Sequence, residues 1–149
     1  LPRVLHQFIA EHHGTTVVRY FHRVASEKQP KVSSGRHDRE VAESDFRYPG
    51  PRPRTRESVV LMLCDGVEGA VRALEEPTVG RIESTVHSII TDRLNDGQFD
   101  ACDVTMREIR WVEESLVKSL CGIYHGRVSY QRTRAKGHEE PRPAARMSG

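Results

Sequence analysis

Three long stripes of apolar residues recur along this chain at helical spacing, and a threonine precedes each. Val59, Val60, Leu63, Val67, Ala70, Val71 and Leu74 follow Thr55. Ile82, Val86, Ile89, Ile90 and Leu94 follow Thr78, and Met106, Ile109, Val112, Leu116, Leu120 and Ile123 follow Thr105. Steps of three and four put each set on one side of an α-helix. A threonine hydroxyl at the entrance accepts from a backbone N–H that the first turn leaves unpaired. Thr105 and Glu108 have the spacing of a capping box. Pro77 and Asn95-Asp96-Gly97 supply the stops. Period-two alternation never persists, and no internal repeat is present. The fold class is all-α.

The first third follows the same logic less regularly. Val4, Leu5, Phe8 and Ile9 predict a short amphipathic helix over 2–11, with Pro2 in its first turn and Gly14 beyond its end. Thr15 or Thr16 is placed to cap a second helix carrying Val17, Val18, Phe21, Val24 and Ala25 on one face. A long loop near 28–56 then interrupts the pattern with Pro30, Gly35, Pro49, Gly50, Pro51 and Pro53. Its first half, 28–44, reads as disordered. Asp45-Phe46-Arg47-Tyr48-Pro49-Gly50-Pro51 reads as ordered, because two aromatics stand among rigid turn residues.

Charge and cysteine usage exclude several function classes. Residues 125–149 carry six Lys/Arg and two Glu, a net +4, which leaves −2 for residues 1–124 of a chain with net charge +2. The basicity therefore sits in a disordered tail, 131–149, rather than on a folded face, and no specific nucleic-acid partner is expected. Cys64, Cys102 and Cys121 are dispersed and form no CxxC pair, which suits reduced thiols rather than a disulfide or zinc framework. No apolar run is long enough to span a bilayer and no signal-peptide pattern is present. Starting at Leu1, with only 36% hydrophobic residues, the chain reads as a fragment of a larger domain.

Two features call for chemistry. Asp65 follows the apolar run Val59–Cys64 in mid-helix and shares a face with Met62, Gly69 and Arg72. It is either a surface carboxylate paired with Arg72 or a neighbouring helix, or a buried one that needs a cation. His12 and His13 diverge by about 100° on a continuous helix, but at a helix end released by Gly14 both rings can converge. A ligating imidazole needs an acceptor for its other nitrogen, and Glu11 is available. His37-Asp38 lies in the most polar stretch, without the rigid backbone a metal site requires. His22, His87 and His125 belong to predicted helices, facing solvent or the core margin, and His6 is unassigned.

Several ordered motifs together resemble one family. They are His12-His13-Gly14-Thr15-Thr16, Tyr20-Phe21, Asp45 to Pro51, Glu57, Asp65 with Glu68-Gly69-Ala70-Val71-Arg72, Ile90 to Asp100, and Gly122 to Arg127. Over about residues 1–130 the chain is similar to the C-terminal half of the cytosolic HD domain in bacterial seven-transmembrane HD proteins of the PgpH type. Cyclic di-GMP relatives carry a His-His-Glu run and a Gly-Tyr-Pro signature instead, and neither stands here.

The resemblance implies an all-helical HD-domain bundle, truncated on its N-terminal side, with 1–130 as the partial domain. It implies a membrane-anchored phosphodiesterase that hydrolyses cyclic di-AMP to linear di-AMP with two divalent ions, iron or manganese, in a cytoplasmic domain. The family's ligand order is His, His-Asp, His, His-His and Asp, which gives metal roles to His12, His13 and Asp65. The earlier donors would lie in an N-terminal part that precedes Leu1, so the chain is expected to bind metal weakly and to be inactive alone. Arg47 and Arg72 are candidates for positioning a substrate phosphate, and Tyr48 for contacting an adenine. The alternative is a non-catalytic helical module that binds a nucleotide or a protein partner.

Overall fold

A computed structural model describes the backbone of residues 1–28 and 42–136 and the side chains of 1–28 and 42–124. Five α-helices follow in order: α1 Arg3–Glu11, α2 Arg19–Lys28, α3 Arg56–Arg72, α4 Val79–Asn95 and α5 Met106–Lys136, with a 3-10 turn at Glu43–Phe46 before α3. No β-strand occurs among the described residues; a single antiparallel bridge joins Val17 to Arg47.

The threonine caps form as their positions predict. Thr55 Oγ1 accepts from the Ser58 N–H at 3.2 Å, and Thr78 Oγ1 from the Arg81 N–H at 3.4 Å. At the third entrance the box is reciprocal: Glu108 Oε2 accepts from the Thr105 N–H at 2.8 Å, and Thr105 Oγ1 accepts from the Glu108 N–H at 3.2 Å. α4 ends at Gly97, whose φ of +65° is a left-handed conformation that L side chains rarely adopt.

The helical stripes meet in one core. Val59, Met62, Leu63, Val67 and Val71 of α3 pack with Ile82, Val86 and Ile90 of α4, Phe99 of the following turn, and Ile109 and Leu120 of α5. Leu63, Val67, Val71 and Val86 are fully buried, and each side chain of this kind contributes about 1.5–3 kcal/mol on leaving water. α1 lies against α3, and α2 against the 3-10 turn. The stripes are narrower than their sequence spacing predicts. Met106, Ile123, Val60 and Leu94 are exposed, because α5 turns its first residue outward and α3 buries the Met62 side instead.

Three sequence expectations are corrected. Pro2 is the N-cap of α1 rather than part of its first turn. α2 begins at Arg19 rather than at Val17, because the Val17 backbone is extended and paired with Arg47. α2 also buries none of its residues, and Phe21 is exposed. Helix α5 runs unbroken from Met106 to Lys136. Of the stretches expected to be disordered, 28–44 and 131–149, Lys28 ends α2, Glu43 and Ser44 open the 3-10 turn and 131–136 continue α5, while 29–41, with His37-Asp38, and 137–149 lie outside the described residues.

Candidate metal centre

Gly14 ends α1 and turns the chain back on itself. Its φ is +55°, and a Cβ there would overlap Gln98 Oε1 and meet Met62 Cε at 2.7 Å. Glycine is therefore required twice, for conformation and for close approach. Gln98 is fully buried and fixes the next residue: its Oε1 accepts from the Thr15 N–H at 3.0 Å, and its Nε2 donates to Thr15 Oγ1 and Asp96 Oδ2, both at 2.9 Å. The Asn95-Asp96-Gly97-Gln98 stop thus also anchors the His-His-Gly-Thr turn. Sequence reading took Asn95-Asp96-Gly97 as a stop and Ile90 to Asp100 as a family motif, without this anchoring role.

The ordered loop closes over the same turn. The Tyr48 N–H donates to Thr16 O at 3.0 Å, and the Val18 N–H to Phe46 O at 2.8 Å. Arg47 donates to Thr15 O at 2.8 Å, to both Asp96 oxygens at 3.0 and 2.9 Å, and to Glu43 Oε1 at 2.5 Å. These bonds hold the Asp96 carboxyl below its ordinary range. At the last residue of α1 a buried carboxylate locks the loop again. Glu11 accepts from the Arg54 N–H at 3.1 Å and from Arg54 Nε at 2.9 Å. Burial pushes the Glu11 carboxyl up, but the Arg54 backbone and the Ser58, Arg54 and Gln7 side chains together hold it low.

This scaffold sets His12 and His13 side by side, with ring centroids 4.0 Å apart. His13 stacks on Tyr48, centroids 4.2 Å apart and planes 16° from parallel. His13 Nδ1 lies 3.7 Å from Asp65 Oδ2 on α3. The two histidines and Asp65, far apart in sequence, are therefore neighbours. Asp65 is exposed, and its partner is His13; Arg72 pairs instead with Glu68 at 3.1 Å.

The acceptor for His12 is backbone rather than Glu11. His12 Nδ1 lies 3.0 Å from Phe8 O and 2.9 Å from Ile9 O. Carbonyl oxygens only accept, so Nδ1 carries the proton and Nε2 keeps a free lone pair. A neutral ring whose Nδ1–H is tied to carbonyls keeps Nε2 for a ligand, as a ligating imidazole requires. Burial draws the His13 imidazole below its ordinary range, as does His12; Asp65 opposes them and Arg93 reinforces them. His13 is thus neutral, as a ligand must be, over more of the pH range. Two imidazoles and a carboxylate fit a borderline or hard divalent ion. Among the described residues no group of three or more His, Cys, Asp or Glu side chains is placed to hold a metal ion by itself.

Of the residues put forward for substrate, Tyr48 is at this cluster. Arg47 is committed to Asp96 and Glu43, in a polar cleft that Arg93 also lines. Arg72, seven residues along α3, is about two turns away from Asp65. Sequence reading missed Gln98, Arg54 and Arg93. Arg93 is half-buried on the last turn of α4, and the only signal for it was its place in the Thr91-Asp92-Arg93-Leu94 motif.

No protein-family model matches the chain. It is 40% identical over 130 residues to the cyclic-di-AMP phosphodiesterase PgpH of Listeria monocytogenes, covering 87% of this chain and 17% of that protein. It is 38% identical over 129 residues to PgpH of Bacillus subtilis, with the same coverage. The structure superimposes on the crystal structure of the Listeria PgpH HD domain with a TM-score of 0.71 at 38% identity, covering 84% of this chain and 54% of that one. For that domain in complex with cyclic di-AMP the TM-score is 0.73 at 40% identity. The chain thus spans about half of the solved HD-domain chains and under a fifth of the curated relatives. Sequence and fold together make these residues a homologue of the HD domain of PgpH.

Proposed function

We propose that the chain carries part of the dinuclear metal centre of a phosphodiesterase that converts cyclic di-AMP to linear di-AMP. The observation that carries this reading is the meeting of His12, His13 and Asp65, with His12 Nδ1 held by two carbonyls. His12 and His13 would hold one ion and Asp65 the other, with iron or manganese as the metals. The ions, when bound, supply an activated water and offset the negative charge that builds on the phosphate. The chain's own residues do the positioning. Tyr48 braces one face of His13, and Gly14 and Gln98 fix the turn from which both rings project. The remaining donors come from polypeptide outside these 149 residues, in a membrane-anchored protein whose HD domain is cytoplasmic. Among the described residues no helix is long and apolar enough to cross a membrane.

A chimaera tests this reading. The preceding half of the Listeria HD domain is joined to Leu1, and cyclic di-AMP is followed by ion-exchange chromatography with Mn²⁺ or Fe²⁺ present. The chimaera is expected to release linear di-AMP, and the chain alone to give none above the metal-only control. His13→Ala and Asp65→Ala in the chimaera abolish product. A folded chimaera that is inert but still binds the nucleotide would favour the non-catalytic helical module. Robust turnover by the chain alone would contradict the shared centre.

A further inference from the structure

We infer that Arg93 is the cation that receives a phosphate oxygen of the cyclic dinucleotide beside the His12–His13–Asp65 cluster, an inference that rests on the proposed function. Its guanidinium passes over the residue that follows Asp65: Arg93 Nη2 lies 3.6 Å from where a Cβ on Gly66 would stand. It is close enough to Asp65, Asp92 and Asp96 to feel their charge, and its own charge reaches His13.

What singles it out is the lack of a committed partner. Arg19 is paired with Asp92 at 2.6 Å, and Arg47 with Asp96 at 2.9 Å, and these four residues line one polar cleft with Arg93 and His22. Arg93 Nε is buried and has no hydrogen-bond partner. A guanidinium stays charged under all ordinary conditions. A donor of a charged group held out of water without a bonded acceptor is costly. Burial and the nearby Arg19 both draw its pKa down, while Asp92, Asp96 and Asp65 act at longer range to offset them. An Asp65 engaged in a metal shell gives Arg93 less compensation, and the demand for an anion rises.

The chemistry of the group selects the ligand. A planar fork of fixed donors matches two oxygens of a phosphodiester, which an ammonium does not. The position selects it too, since Arg93 Nη2 lies close to Gly66, the residue next to Asp65. Arg47 and Arg72 already have carboxylates bonded to them. Arg93 is therefore a substrate-positioning residue, and it acts on the phosphate rather than on the metals.

The test is a titration of the ¹⁵N-labelled full chain with cyclic di-AMP, with Mg²⁺ as a diamagnetic dication, read at the arginine Nε–H resonances. The Arg93 signal is identified by its loss in Arg93→Lys. It is expected to move on titration, and Arg93→Gln is expected to weaken binding about tenfold, the equivalent of ~1.4 kcal/mol. Arg93→Lys keeps the charge but loses the fork, and recovers only part of the affinity. Should Arg93→Gln fail to fold, the wild-type Nε–H shift and the Arg93→Lys affinity decide. Wild-type affinity in the variants with an unmoved Nε–H overturns this inference and leaves the proposed function standing. A wild-type chain that does not bind cyclic di-AMP at all overturns both.

Discussion

His13 and Asp65 face each other across the junction of α1 and α3, Nδ1 to Oδ2 at 3.7 Å, and both side chains remain substantially open to solvent. That spacing is beyond a hydrogen bond and at the edge of an ion pair. An exposed pair of this kind contributes little to stability. Its arrangement is better explained by what it can hold than by what it stabilises.

Asp65→Asn is therefore expected to leave the fold intact, with unfolding free energy within about 0.5 kcal/mol of wild type in urea. Its affinity for Mn²⁺ is expected to drop at least tenfold by calorimetry. A large loss of stability would assign Asp65 a structural role instead.

Gln98 sits at the opposite extreme. It is fully buried and makes three hydrogen bonds, two to Thr15 of the His-His-Gly-Thr turn and one to Asp96 beyond α4. Gln98→Leu leaves the Thr15 N–H without its acceptor, and a loss of about 2–4 kcal/mol is expected in denaturant. The same variant should disturb the His12 and His13 ring resonances, because the turn that presents them is released.

Gly14→Ala combines a left-handed φ of +55° with overlap on Gln98. The conformational term alone costs about 1–2 kcal/mol, and the collision adds to it. Thermal melts should show a clear drop, with weakened metal binding in whatever fraction stays folded. An unchanged melt would mean that Gln98 moves away freely, contrary to its bonding.

Arg47 gives a pH-dependent prediction. Its bonds hold the Asp96 carboxyl below the ordinary value of 3.8. A carboxyl depressed in the folded state stabilises fully above the unfolded pKa, and that contribution is lost as pH falls through the folded one. Arg47→Gln should thus be less stable than wild type by a constant amount between about pH 5 and 7. The gap should narrow below about pH 4 as Asp96 protonates in both proteins. A gap that persists unchanged into strong acid would place the effect elsewhere.

The regular part of the fold was legible because it obeys local rules. Thr55, Thr78 and the Thr105–Glu108 box act within one helical turn, and the α3 and α4 stripes reach the core much as their spacing predicts. α2 was misplaced at its start because Val17 is extended by pairing with Arg47, a contact no local pattern contains. The site divides along the same line. The His12-His13 pair and Asp65 were conspicuous as residues, but periodicity alone left Asp65 beside Arg72. Only the turn at Gly14, held by Gln98, brings His13 to it. The pairing of Arg47 with Asp96 and Glu43 is likewise a contact that no local pattern contains. Arg93 was overlooked because an arginine in a helix's last turn ordinarily complements the helix dipole.

The central claim is that His12, His13 and Asp65 belong to one dinuclear metal centre, and paramagnetic relaxation by Mn²⁺ in the isotope-labelled chain tests it most directly. Substoichiometric Mn²⁺ should broaden the His12 and His13 ring signals and the Asp65 side chain first, and Tyr48 next, while exposed His87, paired with Glu113 on α5, stays sharp. Broadening centred on His87 or the acidic surface, with the His12 and His13 rings untouched, would contradict it.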